Sequence, residues 1–292
     1  MDYLNYKIQD ELANKTIRDI LLGFHVGKEK IYKLRLEKSF FVNDINVDEN
    51  YICHENDILK IIIKEDIDVA PIPSTLDIIY EDDNYLFVNK PRNILIHSDG
   101  VSKELTLTNM VSFYYKSHHI HRKVRFCNRL DYETEGIVAF AKNFVSEDYL
   151  NYLIASRQVI KKYYALCFNR FSKKEGIINL PIGRNRHENK MIVSKNAKEA
   201  ISEYKVLENG KKSLVDVAIH TGRTHQIRVH FAYINHPLVG DNLYGEKSQN
   251  TPLCLQAYLF SFYEIFNKRE ISVKIDLSKM IKNEMGEKNG YK

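Results

Sequence analysis

Six short runs rich in β-branched and aromatic residues dominate the chain from residue 85 onward: YLFVN (85–89), GIVAFA (136–141), KKYYALCF (161–168), ISEYKVL (201–207), SLVDVAI (213–219) and LQAYLFSF (255–262). Runs of this composition read as strands. Helical patterning in the same region is confined to 106–116, 144–156 and 224–235. That is too little for a regular βαβ alternation. The pattern therefore predicts an α+β fold built on a mainly antiparallel mixed β-sheet.

A different unit precedes this body. TIRDILLGF (16–24) carries Ile17, Ile20, Leu21 and Phe24 at helical spacing, and KEKIYKLRLEK (28–38) reads as a second, basic helix. FFVNDINV (40–47) places Asn43-Asp44 between two β-prone runs, the signature of a tight turn, and Ile58–Ile63 closes the unit as a strand. KEDIDVAPIPSTL (64–76), with Pro71 and Pro73, reads as a connector. The expected organisation is a small α/β module over 1–66, a linker over 67–76, a body over 77–280 and a frayed charged tail over 281–292.

Composition narrows the function classes. With 292 residues and 44% hydrophobic content the chain can bury a real core, which excludes wholesale disorder. No apolar stretch approaches the roughly 18–20 residues that span a bilayer. The start, MDYLNYKIQDELANK, has neither the basic nor the apolar region of a signal peptide. Cys53, Cys127, Cys167 and Cys254 are isolated, without CxxC or zinc-ribbon spacing. A cytoplasmic protein is expected. Residues 1–66 hold 10 Lys+Arg against 13 Asp+Glu, so the total net charge of +5 leaves +8 on the remainder. A basic body permits a nucleic-acid partner.

Four segments concentrate polar chemistry. In HHIHRKVRFCNRLDYETEG (118–136), Asp131 follows Arg122, Lys123, Arg125 and Arg129. A carboxylate among cations stays ionised and can serve as a nucleophile, although an ordinary surface loop has the same look. In HTGRTHQIRVHFAYINHPLVGDNLYG (220–245), Thr224 is a candidate N-cap, Arg223 precedes the helix start, and Arg228 lies three residues after His225. Flanking arginines at a helix N-terminus suit a phosphate or carboxylate. His220, His225, His230 and His236 invite a metal reading, but no acid falls at HExxH spacing, so no metal is expected. In RQVIKKYYALCF (157–168), alternation sets Tyr163 opposite Tyr164, as core packing or as a platform for a base. PIGRNRHENKMIVSKNAKEAISEY (181–204) carries Arg184, Arg186, His187, Lys190, Lys195 and Lys198, and reads as a basic loop.

In this order the segments resemble the RluA-type RNA pseudouridine synthases. The resemblance rests on Asn128-Arg129-Leu130-Asp131 through Thr134-Glu135-Gly136 and the following apolar strand. It continues with Lys161–Leu166, Pro181–Arg184, Thr221–His230, His236–Asp241 with Tyr244-Gly245, and YEDDNYLFVNKP (80–91) upstream. It covers roughly residues 77–275. Asn128 stands where the family usually has His, Glu135 where it has Ser, and Leu255-Gln256-Ala257 where it has Leu-His-Ala. The first 65 residues are similar to a divergent alpha-L RNA-binding motif, with Asn56 in a glycine position.

The resemblance implies a pseudouridine synthase fold and isomerisation of uridine to pseudouridine without cofactor or metal. It implies Asp131 as nucleophile, Arg228 as its partner, and Tyr163 as the ring that stacks on the uracil and assists removal of the carbon 5 proton. Arg129 would fill the RNA stack after the uridine leaves it, Leu255 would pack beneath the base, and Arg184 and Arg223 would meet RNA. Large-subunit ribosomal RNA is the first expected substrate and tRNA the second, with the protein acting as a monomer. A non-catalytic RNA-binding or ribosome-assembly factor on the same fold is the rival class.

Overall fold

Each of the six β-rich runs forms a strand in the structure, a computed structural model that describes residues 2–98, 104–185, 187–188, 190–247 and 251–286. Arg186 and residues 287–292 of the expected tail lie outside the described residues.

The N-terminal unit contains β1 (Asp2–Lys7), β2 (Lys15–Thr16), α1 (Ile17–Gly23), α2 (Lys28–Leu36), β3 (Phe40–Val42), β4 (Ile45–Asn46), β5 (Ile52–Cys53) and β6 (Ile58–Ile63). Thr16 caps α1 by accepting the Asp19 N–H at 3.0 Å. A four-stranded antiparallel sheet runs β1-β6-β3-β4. Its β3–β4 hairpin turns on Asn43 (φ 49°) and Asp44 (φ 68°), the left-handed pair that a two-residue hairpin requires. Asn56 is also left-handed (φ 68°), so a residue tolerant of that region fills the position glycine takes in the motif it resembles.

This unit packs against the body. Phe24 meets Phe266 edge-on with ring centroids 4.8 Å apart, and Lys30 Nζ reaches Asp148 at 2.9 Å. The connector over 64–77 has no helix or strand, yet it is strapped down. Asn109 Nδ2 donates to the Ala70 carbonyl (2.8 Å), the Val124 N–H donates to Asp68 (3.0 Å), and buried Arg125 pairs with Glu65 and with Glu147.

The body contains β7 (Ile78–Glu81), β8 (Tyr85–Lys90), α3 (Leu107–Ser117), β9 (Arg125–Phe126), β10 (Glu135–Ala141), α4 (Phe144–Ala155) and β11 (Ile160–Phe168). It continues with β12 (Glu175–Asn179), β13 (Ile182–Asn185), β14 (Lys190–Val193), β15 (Ile201–Glu208), β16 (Lys212–Ile219), α5 (Gln226–Tyr233), β17 (Leu255–Glu264), β18 (Arg269–Lys274) and α6 (Lys279–Met285). The main sheet is ordered β12-β15-β16-β11-β17-β10-β8-β7, with β18 on β17 and β9 on β10. Its β10–β17 contact is parallel, through Glu135↔Gln256 and Gly136↔Ala257, while its other pairings are antiparallel. The sheet is therefore mixed and mainly antiparallel, as the spacing of the runs implies.

Two expectations need correction. Within the basic stretch over 181–204, β13 and β14 (Ile182–Asn185 and Lys190–Val193) pair as a hairpin and not a loop. Residues 281–285 are not a frayed tail but the continuation of α6. Ser278 accepts from the Ile281 N–H (3.3 Å), and Ile281 is buried beside Leu166 and Cys254.

The parallel contact depends on Gly136. Its φ is +117°, and a Cβ placed there would stand 2.2 Å from the Ala257 carbonyl oxygen. Gly136→Ala is expected to lower unfolding stability by on the order of 3 kcal/mol or more, through backbone strain and forced strand separation. Urea denaturation of the purified protein measures it.

Candidate active site

The turn between β9 and β10 carries Asp131 and is tied on both sides. Upstream, Asn128 Oδ1 accepts from the Ala139 N–H (2.8 Å), and its Nδ2 donates to the Ile137 carbonyl (3.3 Å). Downstream, the Tyr132 carbonyl accepts from the Asn93 N–H (2.9 Å) and from Lys90 Nζ (3.2 Å). Lys90 is wholly buried and also donates to the carbonyls of Pro91 and Ile94. Burial lowers its pKa to about 8, against the pull of Asp131 and Glu135.

Beneath the turn lies the centre of the sheet. Tyr163 and Tyr164 point to opposite faces of β11, as alternation requires. Tyr164 stacks on Tyr258 (centroids 3.8 Å apart), while Tyr163 joins Leu255 and Ile227 in the core that floors the site. Burial, reinforced by the charge of Asp131, pushes the Tyr163 hydroxyl well above its ordinary pKa, so the ring is a neutral phenol.

The third wall is the start of α5. Its N-cap is His225, in the left-handed region (φ 56°), and not Thr224. The reason is Gln226, which is buried. Its Oε1 accepts from the Arg223 N–H and the Thr221 hydroxyl, and its Nε2 donates to the Ile201 carbonyl and Ser202. These bonds fold the preceding loop back and push the helix start one residue along.

Arg228 is 3% exposed. Its Nε and Nη2 bind the two oxygens of Asp241 at 2.9 Å each, a bidentate pair, and Nη2 also lies 3.3 Å from Glu133. Its Nη1 faces Asp131 Oδ2 at 4.0 Å. The close partner of Arg228 is thus Asp241, with Asp131 within charge reach. Burial opposes the charge on Arg228, but Asp241, Asp131 and Glu133 outweigh it and raise the pKa. Asp241 Oδ1 further accepts from the N–H groups of Leu243 and Tyr244. On the other side of Asp131, His225 Nε2 stands 4.0 Å from its Oδ1.

Asp131, Tyr163, Arg228, Arg129, Arg223 and Leu255 all line one cavity of about 730 Å³. That is within the range of pre-formed ligand sites, about 300–1,000 Å³. Arg129 is exposed at its rim, and Arg223 Nε is spent on the Glu199 carbonyl (2.8 Å). Arg184, on β13, is not in its wall. Sequence reasoning missed the parts played by Lys90, Asp241 and His225, although all three fall within the segments that carry the resemblance. The four histidines over 220–236 engage separate partners: Glu203, Tyr244, Ser202 with the Leu180 carbonyl, and the Phe168 carbonyl.

Comparison with known proteins decides the family. The family model described as RNA pseudouridylate synthase matches residues 84–233, half of the chain. The chain belongs to the RNA pseudouridine synthases. It is 36% identical over 214 residues to an uncharacterized RNA pseudouridine synthase of Bacillus subtilis, YhcT, covering 71% of each chain. It is 34% identical over 247 residues to the ribosomal large subunit pseudouridine synthase D of Blochmanniella floridana, covering 84% of this chain and 75% of that one. Among solved structures it is similar to human RNA pseudouridylate synthase domain containing 1, with a TM-score of 0.59 and 28% identity over 70% of this chain and 86% of that one.

The synthase is therefore an isomerase acting on RNA, and the fold read from the motif order is the one it has. Among the described residues no helix is long and apolar enough to cross a membrane. The buried Arg228–Asp241 pair gives the synthase a specific weakness, because removing one partner strands the other charge out of water. Asp241→Ala is expected to cost about 3–5 kcal/mol of stability, measured by chemical denaturation.

Proposed function

We propose that Asp131 is the nucleophile of this synthase, acting on a uridine of large-subunit ribosomal RNA in the cytoplasm. The observation that carries the reading is the placement of Asp131 in the cavity, with a donor 4.0 Å from each of its oxygens and Tyr163 and Leu255 below. The ribosomal substrate rests on similarity to relatives named ribosomal large subunit pseudouridine synthase D.

Extruding a uridine costs a few kcal/mol of stacking and pairing. The exposed Arg129 guanidinium at the cavity rim offers a planar group to fill the vacated stack. The base enters over Tyr163, with Leu255 beneath it. Asp131 forms a transient covalent link to the target nucleotide, with Arg228 facing its second oxygen, and that link breaks again as the isomerised product forms. The uracil then leaves through nitrogen 1 and rejoins the ribose through carbon 5. The carbon 5 proton is lost and nitrogen 1 gains one, so the atoms balance without a redox partner. Tyr163 enters this sequence as a neutral phenol, which suits stacking and a proton relay through its hydroxyl better than work as a standing base.

The N-terminal unit presents exposed Lys28, Lys33 and Lys38, and we assign it a supporting contact with the same RNA. Arg184 on the β13–β14 hairpin and Arg223 at the cavity wall serve the backbone of the flanking nucleotides.

Asp131→Asn should abolish tritium release from RNA carrying 5-tritiated uridine while RNA affinity stays within about threefold, because the carboxylate is a nucleophile and not a phosphate contact. Full activity of a purified Asp131→Asn protein would contradict the assignment. Arg223→Ala should weaken binding and flatten the salt dependence of log affinity by about one, the loss of one phosphate contact. Filter binding across a salt series reads it.

A further inference from the structure

We infer that His225 is a positioning residue for Asp131. Its Nε2–H is aimed at one carboxylate oxygen while Arg228 faces the other, and Tyr244 selects the tautomer that makes this possible. The inference rests on the reading of Asp131 as nucleophile.

The tautomer is assigned from the partners of the Tyr244 hydroxyl. The Tyr244 hydroxyl accepts from the Met191 N–H (3.0 Å) and lies 2.8 Å from His225 Nδ1. A hydroxyl has one proton to give. Already accepting from Met191, Tyr244 is best placed to give that proton to Nδ1, and we assign the hydrogen of the neutral imidazole to Nε2. Nε2 is the atom that faces Asp131 Oδ1. Both groups are held neutral. Burial is the main force lowering the His225 pKa, against the pull of Asp131, and burial raises that of Tyr244.

The surroundings are built around this chain of bonds. His225 occupies the left-handed N-cap of α5 and makes no side-chain cap bond there, so its ring is free to turn toward the cavity. Asp241, which grips Arg228, also accepts the Tyr244 N–H at 3.1 Å, and the Arg228 guanidinium lies over the Tyr244 ring at 5.4 Å. One carboxylate thus fixes Arg228 directly and anchors Tyr244, the partner of His225. A neutral donor suits this place. It orients Oδ1 without adding a second cation that would blunt the attacking oxygen. The gap of 4.0 Å closes to a hydrogen bond when the cavity is filled, as catalytic contacts commonly tighten in the bound state.

The test compares His225→Phe, His225→Gln and Tyr244→Phe with wild type and Asp131→Ala, on a large-subunit rRNA transcript carrying 5-tritiated uridine. His225→Phe should lower kcat by about 10–100-fold with KM changed less than about threefold, as for loss of an orienting partner. His225→Gln, whose amide N–H falls near the place of Nε2, should recover most of that loss. Nitrogen-15 NMR of the wild-type imidazole should show a protonated Nε2 and a bare Nδ1, and Tyr244→Phe should mix the tautomers. Wild-type His225 protonated on Nδ1 would overturn the inference, whether or not His225→Phe folds. So would a folded His225→Phe with full kcat beside an inactive Asp131→Ala, which would leave the nucleophile standing. An active Asp131→Ala would overturn both.

Discussion

The buried pairing of Arg228 with Asp241 is the constraint on which the rest of the site depends. Taking both charges out of water is costly, and the bidentate geometry with two further N–H donors on Asp241 offsets that cost. What the arrangement gains is direction. A guanidinium committed at Nε and Nη2 has its remaining nitrogen fixed in space, and that nitrogen faces Asp131. Because Arg228 projects from α5 and Asp241 lies beyond the helix, the pair also locks the helix to the segment that follows it. The turn that carries Asp131 is then set against a rigid wall.

That turn is held by a different device. Lys90 spends its three ammonium protons on three carbonyls, one of them next to Asp131, and Asn128 fastens the other side to β10. Gly136 lets β10 run against β17 closely enough that Leu255 and Tyr163 sit under the same cavity. Bonds to the turn's backbone thus keep Asp131 in register with Tyr163.

Much of this was legible in the sequence. The strands could be read because β-branched and aromatic residues cluster in runs separated by polar turns, and α3 and α4 because their apolar spacing is helical. Asp131, Tyr163 and Arg228 could be named because the ordered motifs resemble one family, and the fold brings all three to one cavity. The parallel β10–β17 contact was not legible, since it joins residues more than a hundred positions apart through two pairs. The closer partner of Arg228 was hidden for the same reason: Asp131 and Asp241 are equally plausible carboxylates in one dimension, and Arg228 reaches both. The start of α5 at His225 depends on a buried glutamine reaching back to a loop and across to β15, which local propensity does not encode. The hairpin at β13–β14 was masked by its charge, which reads as a solvated loop.

The central claim is that Arg228 serves Asp131 only as Asp241 aims it. A double-mutant cycle on kcat for pseudouridine formation, with Arg228→Lys, Asp241→Asn and the two combined, tests it most directly. The account predicts strong non-additivity, with the double variant losing no more than the worse single variant. Losses that multiply would show two independent contributions and contradict it.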